Sequence, residues 1–343
     1  MMMSKVPFQL FAYGVVALVA VGCGSSDSGS SGGTTPAAGG GTAAAGGDAK
    51  KPVKLAFITN GTDPFWTIAK KGIDKETTED PSVSVDFREI ANGTPAEQKQ
   101  ALDDCIVNGV QGIAISVKTP AEQKDMINAA AKKAVIFTQD SDAADTDRAC
   151  YVGTNNVEAG HQAGQEILKA LPNGGKIMVF VGSKDAANAK ERFQGIKDIL
   201  TDKKYQIVDL RTDNGDKGRA KANAADTIVA YPDIACMVGL WSYNGPAILN
   251  AVKDAGKAGK IKIVCFDEAE DTLQGIKDGA ISATVVQQPF EFGYEATKML
   301  AADLRGDKSV VPADKIKYVP TKVINKDSVD AFWTELKKLT GKG

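Results

Sequence analysis

From residue 53 onward, short apolar runs alternate with stretches whose apolar residues recur at helical spacing, and the alternation restarts midway along the chain. Residues 53–59, 83–90, 112–117, 134–138 and 150–153 read as strands, with helices near 65–79, 95–107, 120–133 and 157–171. The second series has strands at 176–181, 206–210, 235–240, 261–266 and 282–286, with helices near 188–200, 217–230, 245–255 and 271–277. Several strand runs are apolar throughout instead of alternating, the pattern of strands covered by helices on both faces. The chain therefore reads as α/β, with two similar lobes on parallel sheets, and its 343 residues exceed what one hydrophobic core usually supports. A helix from 289 to about 304, a strand-like run at 317–324 and a terminal helix at 328–339 can return to either lobe.

The formal charge is −2, from 41 basic and 43 acidic residues, so no basic surplus would draw nucleic acid or an anionic membrane. His161 is the single histidine, which removes most zinc chemistry and every triad needing a second imidazole. No His-Glu-x-x-His, Gly-x-Ser-x-Gly or Walker A segment is present. The expectation is a protein that is not an enzyme and holds neither metal nor cofactor. His161 falls on a helix near the lobe junction, where a packed or solvated role is the plain reading.

Residues 1–22 carry one charge, Lys5, and an apolar run that ends at Cys23 among small residues, which is the pattern of an export signal. Ala20-Val21-Gly22-Cys23 resembles a bacterial lipoprotein cleavage box, making Cys23 the expected lipidated first residue, with alanine standing where leucine is commoner. An ordinary secretory signal with a chance cysteine is the blander alternative. Residues 24–47 are almost wholly Gly, Ser, Ala and Thr, a tether with nothing to bury, and the linker is taken to run from Cys23 to residue 51.

In open parallel α/β sheets, ligands bind beyond the carboxyl ends of the strands. The residues there are Asn60, Asp63, Phe65, Trp66, Ser116, Gln139, Asp140 and Ser141 in the first lobe, and Ser183, Asp185, Asn188, Arg192, Asp213, Asn214, Trp241, Ser242, Asp267 and Gln287 in the second. Aromatic faces stack on sugar rings, while Asp, Asn, Gln and Arg give fixed partners to hydroxyls. Asp140 and Asp267 face only Arg192 among these residues, which disfavours an anionic ligand and suits a neutral polyhydroxylated one. Simple alternatives exist: Asp140 and Asp267 as helix caps, Trp241 as a plug on a lobe surface, and Phe65 and Trp66 as core. Adjacent helical positions do not both point squarely inward, so at least one of those two aromatics is expected on the loop side.

From residue 53 to about 326 the chain resembles the periplasmic sugar-binding proteins of bacterial ABC transporters, in their ribose-binding-protein-like branch. The resemblance rests on Asp63-Pro64-Phe65-Trp66, Asp140-Ser141-Asp142, Gly153-Thr154-Asn155-Asn156 with Gly160 and Gly164, Glu191-Arg192-Phe193-Gln194-Gly195, Phe266-Asp267, and Ala283-Thr284-Val285-Val286-Gln287 before Pro289. It implies the type I periplasmic binding protein fold, two Rossmann-like lobes joined by a three-crossing hinge near 154–155, 287–288 and 320–321. Lobe 1 would hold 52–154 and 288–320, and lobe 2 would hold 155–287 and 321–343.

The resemblance also implies roles. Asp63, Phe65 and Trp66 match a loop that stacks and hydrogen-bonds the sugar, and Asp140, Arg192, Asp267 and Gln287 match the polar set on ring oxygen and hydroxyls. Ser116 stands where the ribose-type site has asparagine, Ser141 where it has arginine, and Trp241 where it has asparagine; the loop carrying Asn214 lacks the usual phenylalanine. A pentose, hexose or polyol is therefore left open, with Trp241 opposing Phe65 and Trp66 across the cleft. The implied protein is a monomeric extracytoplasmic receptor, held to the membrane only by its lipid, which delivers a neutral sugar to an ABC permease. The same fold serving a chemoreceptor or sensor kinase is the alternative. Cys236 and Cys265 are expected as buried free thiols, and the state of Cys105 and Cys150 is left open.

Overall fold

The computed structural model describes residues 50–342, so the expected export signal, Cys23 and all but the end of the tether lie outside the described residues. The first sheet is formed by β1 (Val53–Ile58), β2 (Val83–Arg88), β3 (Gly112–Ile115), β4 (Val135–Gln139), β5 (Cys150–Gly153) and β11 (Ile316–Tyr318). The second is formed by β6 (Gly175–Val181), β7 (Tyr205–Thr212), β8 (Ile234–Gly239), β9 (Lys262–Phe266), β10 (Ala283–Val286) and β12 (Lys322–Asn325). Their strand orders are β11-β5-β4-β3-β1-β2 and β12-β10-β9-β8-β6-β7, so each strand of one sheet has a counterpart at the same position in the other. All pairings are parallel except β10 with β12.

The expected parallel sheets carry one antiparallel edge, and the run at 317–324 is two strands, β11 and β12. Pro320 has no N–H to offer a ladder, so pairing breaks there. Only residues 319–321 separate β11 from β12, too few for the crossover that a parallel arrival would need. The chain thus leaves the first sheet and enters the second without reversing.

Helices α1 (Pro64–Glu79), α2 (Pro95–Val107), α3 (Pro120–Ala131) and α9 (Pro289–Leu304) cover the first sheet, whose core joins Leu55 and Phe57 to Phe292, Ala296 and Leu300 of α9. Helices α4 (Asn156–Ala170), α5 (Ala187–Ile199), α6 (Lys217–Ala230), α7 (Asn244–Asp254), α8 (Glu270–Lys277) and α10 (Val329–Thr340) cover the second. We call each sheet with its helices a lobe. The chain passes between lobes after β5, after β10 and between β11 and β12.

One close helix pair in each lobe depends on glycine. A Cβ at Gly72 of α1 would lie 1.9 Å from the Phe290 carbonyl oxygen of α9, and one at Gly293 would lie 2.0 Å from that of Ala69. In the second lobe a Cβ at Gly160 of α4 would lie 2.3 Å from the Arg192 carbonyl oxygen of α5, and one at Gly195 would lie 2.2 Å from that of Val157. Backbone-to-backbone packing of α4 on α5 fixes where Arg192 emerges.

Candidate functional site

The carboxyl ends of both sheets face a cavity of about 500 Å³ lined by residues of both lobes, a size in the range of small-molecule sites. Asp140 follows β4 and Asp267 follows β9, the third strands of their sheets, and both adopt the left-handed backbone, with φ of 59° and 70°. Aspartate tolerates this conformation better than most residues. Neither caps a helix: α8 begins from Ala269, and no helix follows Asp140 before β5.

Both carboxyls are buried beside Arg192, which has no solvent exposure. Burial pushes the Asp140 carboxyl above its ordinary range, while Arg192, the Ser116 hydroxyl and Asn60 work against that rise. Ser116 Oγ donates to Asp140 Oδ2 at 2.8 Å and accepts from Asn60 Nδ2 at 2.8 Å. Asp267 is pushed up to about 6, chiefly by burial, with Arg192 and the hydrogen bond from Gln287 opposing and the charges of Asp140 and Asp63 adding to the rise. Arg192 Nε donates to Asn156 Oδ1 at 2.9 Å and Nη1 to the Leu240 carbonyl at 2.6 Å, and the guanidinium lies 4.5 Å from the Phe266 ring centroid. Its remaining nitrogen, Nη2, is buried without a partner. A buried charged donor left unpaired is expensive, and Arg192 is among the residues that line the cavity.

Phe65 and Trp66 line the cavity but are also core, 6% and 3% exposed, packed at 4.9 Å edge to face and joined by Phe57 and Phe292. Both line the cavity beside the loop residues Asn60 and Asp63 while being buried, because the cavity borders the core where α1 begins. Asp63 caps α1 through Phe65 N at 3.2 Å and faces Lys217 of the other lobe at 3.5 Å.

Trp241 lines the second-lobe side, half-buried, with Nε1 donating to Asn188 Oδ1 at 3.1 Å. It lies over Gly182, where a Cβ would come within 2.1 Å of the indole. Asn214, φ 58°, Ser242 and Gln287 complete the predicted residues that reach the cavity. Ser116 and Ser141 do not line it. Ser116 instead holds Asp140, and Ser141 is fully buried with an unpartnered hydroxyl.

Sequence reasoning missed Asn92, Lys118, Asp216, Lys217 and Tyr243, which also line the cavity. The loop after β2 is a strand end like the others and carries Asn92, so that residue was within reach of the same rule. Lys118 and Lys217 correct the view that Arg192 alone offset the carboxylates. Burial lowers the Lys118 ammonium, and the charge of Asp213 on the other lobe counters this. Lys118 Nζ also donates to the Asn92 carbonyl at 2.7 Å. Each lysine therefore has an acidic counterpart across the cleft, and no free positive surplus remains for an anion. All four described cysteines are buried and free, which resolves the open state of Cys105 and Cys150. His161 is partly exposed beside Glu158 and Asp198, away from the cavity.

The sequence profile of the periplasmic binding protein domain matches residues 55–308. The ribose import binding protein RbsB of Bacillus subtilis strain 168 is 28% identical over 248 residues, which cover 72% of this chain and 79% of the relative. Among solved structures, an ABC transporter solute-binding protein from Burkholderia graminis C4D1M, in complex with D-arabinose, superposes with a TM-score of 0.76 at 28% identity, covering 82% of this chain and 98% of that one. GanP, a glucose-galactose binding protein from Geobacillus stearothermophilus, gives 0.75 at 26% identity over 81% and 99% of the two chains. With nearly three quarters of its length matched by the profile and both sheets shared with solved relatives, the chain belongs to the periplasmic binding protein family.

Proposed function

We propose that the protein is an extracytoplasmic receptor that encloses a neutral monosaccharide or polyol between its lobes and presents it to an ABC importer. The observation that carries this is Arg192: fully buried, shared electrostatically by Asp140 and Asp267, with Nη2 unpartnered at a cavity that also offers aromatic side chains. A sugar hydroxyl or ring oxygen accepts from that nitrogen, sugar hydroxyls donate to the carboxylates, and Trp241, Phe65 and Trp66 take the apolar faces of the ring. Ser116 positions Asp140 instead of touching the ligand.

In this reading the lobes are 52–154 with 288–320 and 155–287 with 321–343, the three connections act as a hinge, and closure traps the sugar. The chain works as a monomer, anchored through a lipid on Cys23. The named relatives bind or import ribose, arabinose, glucose or galactose, so pentoses and hexoses lead the ligand panel. Screening D-ribose, D-arabinose, D-allose, D-glucose, D-galactose, D-fucose and polyols by tryptophan fluorescence and melting temperature tests the proposal. A binder at 100 times its Kd should stabilise the fold by about 2.7 kcal/mol. Silence in both assays across the whole panel would sink the sugar reading.

A further inference from the structure

Glu268 follows Asp267 in the loop before α8 and is 4% exposed, yet neither carboxylate oxygen has a hydrogen-bond partner among the described residues. An ionised carboxylate in that position lacks both water and a counter-charge, whereas the neutral acid is tolerated. The side chain borders a second cavity, of about 320 Å³, whose walls include Phe65 and Ile68 of α1 and Trp333 and Leu336 of α10. Helix α1 belongs to the first lobe and α10 to the second, so this chamber exists only while the lobes are together. Phe65 and Ser242 border both cavities, placing Glu268 directly behind the proposed sugar site.

The charged groups facing Glu268 come from three sides. Asp267 lies on its own loop and Glu270 opens α8, Asp63 and Lys71 lie on α1 and its cap, and Lys337 and Lys342 on α10 and beyond. Burial is the main influence raising the Glu268 carboxyl, and the charges of Asp267 and Asp63 raise it further. The lysines do not offset this: Lys342 pairs with Glu270 at 2.9 Å, Lys337 lies 4.8 Å from the Trp333 ring centroid, and Lys71 is exposed to solvent.

We propose that Glu268 is a proton-binding site assembled by closure of the lobes, so that capture of the sugar draws one proton from solvent onto its carboxylate. The proposal rests on the sugar-receptor reading for the event that closes the lobes. The sign follows from linkage. The closed form holds the proton more tightly, so sugar affinity is highest at low pH and falls as pH rises above the ordinary carboxylate range. The fall approaches tenfold per pH unit wherever closure takes up a full proton.

The test uses the full chain and its Glu268→Gln variant with D-ribose, D-arabinose and D-galactose. Calorimetry between pH 5.5 and 8.5, in buffers of different ionisation enthalpy, reads affinity and proton uptake together. The expected result is uptake near one proton and declining affinity above pH 6 in the parent, with both lost in Glu268→Gln. An uptake that survives Glu268→Gln belongs to Asp267 and overturns the proposal, as does binding with no uptake in either protein. If no sugar binds, the sugar reading falls, and this proposal, which needs the sugar to close the lobes, falls with it.

Discussion

The Thr154 hydroxyl donates to Gln287 Oε1 at 3.0 Å, tying together the residues that follow β5 and β10, the second strands of the two sheets and two of the three points where the chain changes lobe. From this bond the network spreads to the Asp267 carboxylate and to the backbone of Asp140. Gln287 Nε2 donates to Asp267 Oδ1 at 2.9 Å, while Tyr151 Oη donates to the Asp140 carbonyl at 2.9 Å and Asn156, which holds Arg192, donates to the Thr154 carbonyl at 3.2 Å. The residues proposed to read the sugar are thus wired to the connections proposed to move.

Asp267 trades stability for recognition. Its carboxyl titrates near 6 in the folded chain against an ordinary 3.8, so the stability it contributes is complete below the ordinary value and is lost as pH rises through about 6. Asp267→Asn keeps an acceptor for Gln287 and removes the buried charge. Its unfolding free energy should exceed the parent's at pH 8, by an amount on the order of 1–3 kcal/mol, and the two should converge near pH 4. Sugar affinity should fall about 10- to 100-fold, since hydrogen bonds to a charged group contribute about 1.5–3 kcal/mol.

The two tryptophans of the cavity should behave differently. Trp66→Ala removes a core side chain that is 3% exposed and should cost about 3–5 kcal/mol in denaturant unfolding. Trp241→Ala removes a half-buried ring that lines the cavity. It should leave most of the stability and weaken sugar binding roughly 3- to 10-fold, the scale of a lost stacking contact. Equal stability losses in the two variants would contradict this division.

Gly160→Ala places a methyl 2.3 Å from the Arg192 carbonyl oxygen and forces α4 away from α5. The expected outcome is a destabilisation of about 1–3 kcal/mol together with weakened sugar binding, because Arg192 and its partner Asn156 sit on the two helices being separated. Unfolding midpoints and calorimetric affinities measured on the same sample check whether the two losses travel together.

Burial pushes the thiols of Cys105 and Cys150 up to about 11 and those of Cys236 and Cys265 up to about 12. Thiolate is the reactive form, so these four should resist a maleimide or aromatic disulfide reagent at pH 7.5 in the folded chain and react fully once unfolded. Reductant should leave the melting temperature unchanged. Rapid labelling of any of the four under native conditions would contradict their burial.

The strand and helix pattern, the doubled βα rhythm and the positions of Asp63, Asp140, Arg192, Asp267 and Gln287 at strand ends were legible in the sequence. Periodicity reports which faces are covered, and the carboxyl ends of parallel strands are where a ligand has access. Gly160 and Gly195 were legible as motif members, and their physical reason, contact between helix backbones, emerged only with the packing.

Tertiary structure alone decided the rest. Whether 317–324 was one strand or two depended on which sheet each half could pair with. Whether Phe65 and Trp66 faced ligand or core depended on the cavity lying against the core. The Lys217–Asp63 and Lys118–Asp213 oppositions join residues more than 90 positions apart across a cleft, and the orphaned carboxyl of Glu268 belongs to a residue bordering a chamber walled by helices of both lobes. The sequence determined the local preferences and the chemistry available; which groups share a dry space is set by the docking of the two lobes, and no local pattern encodes it.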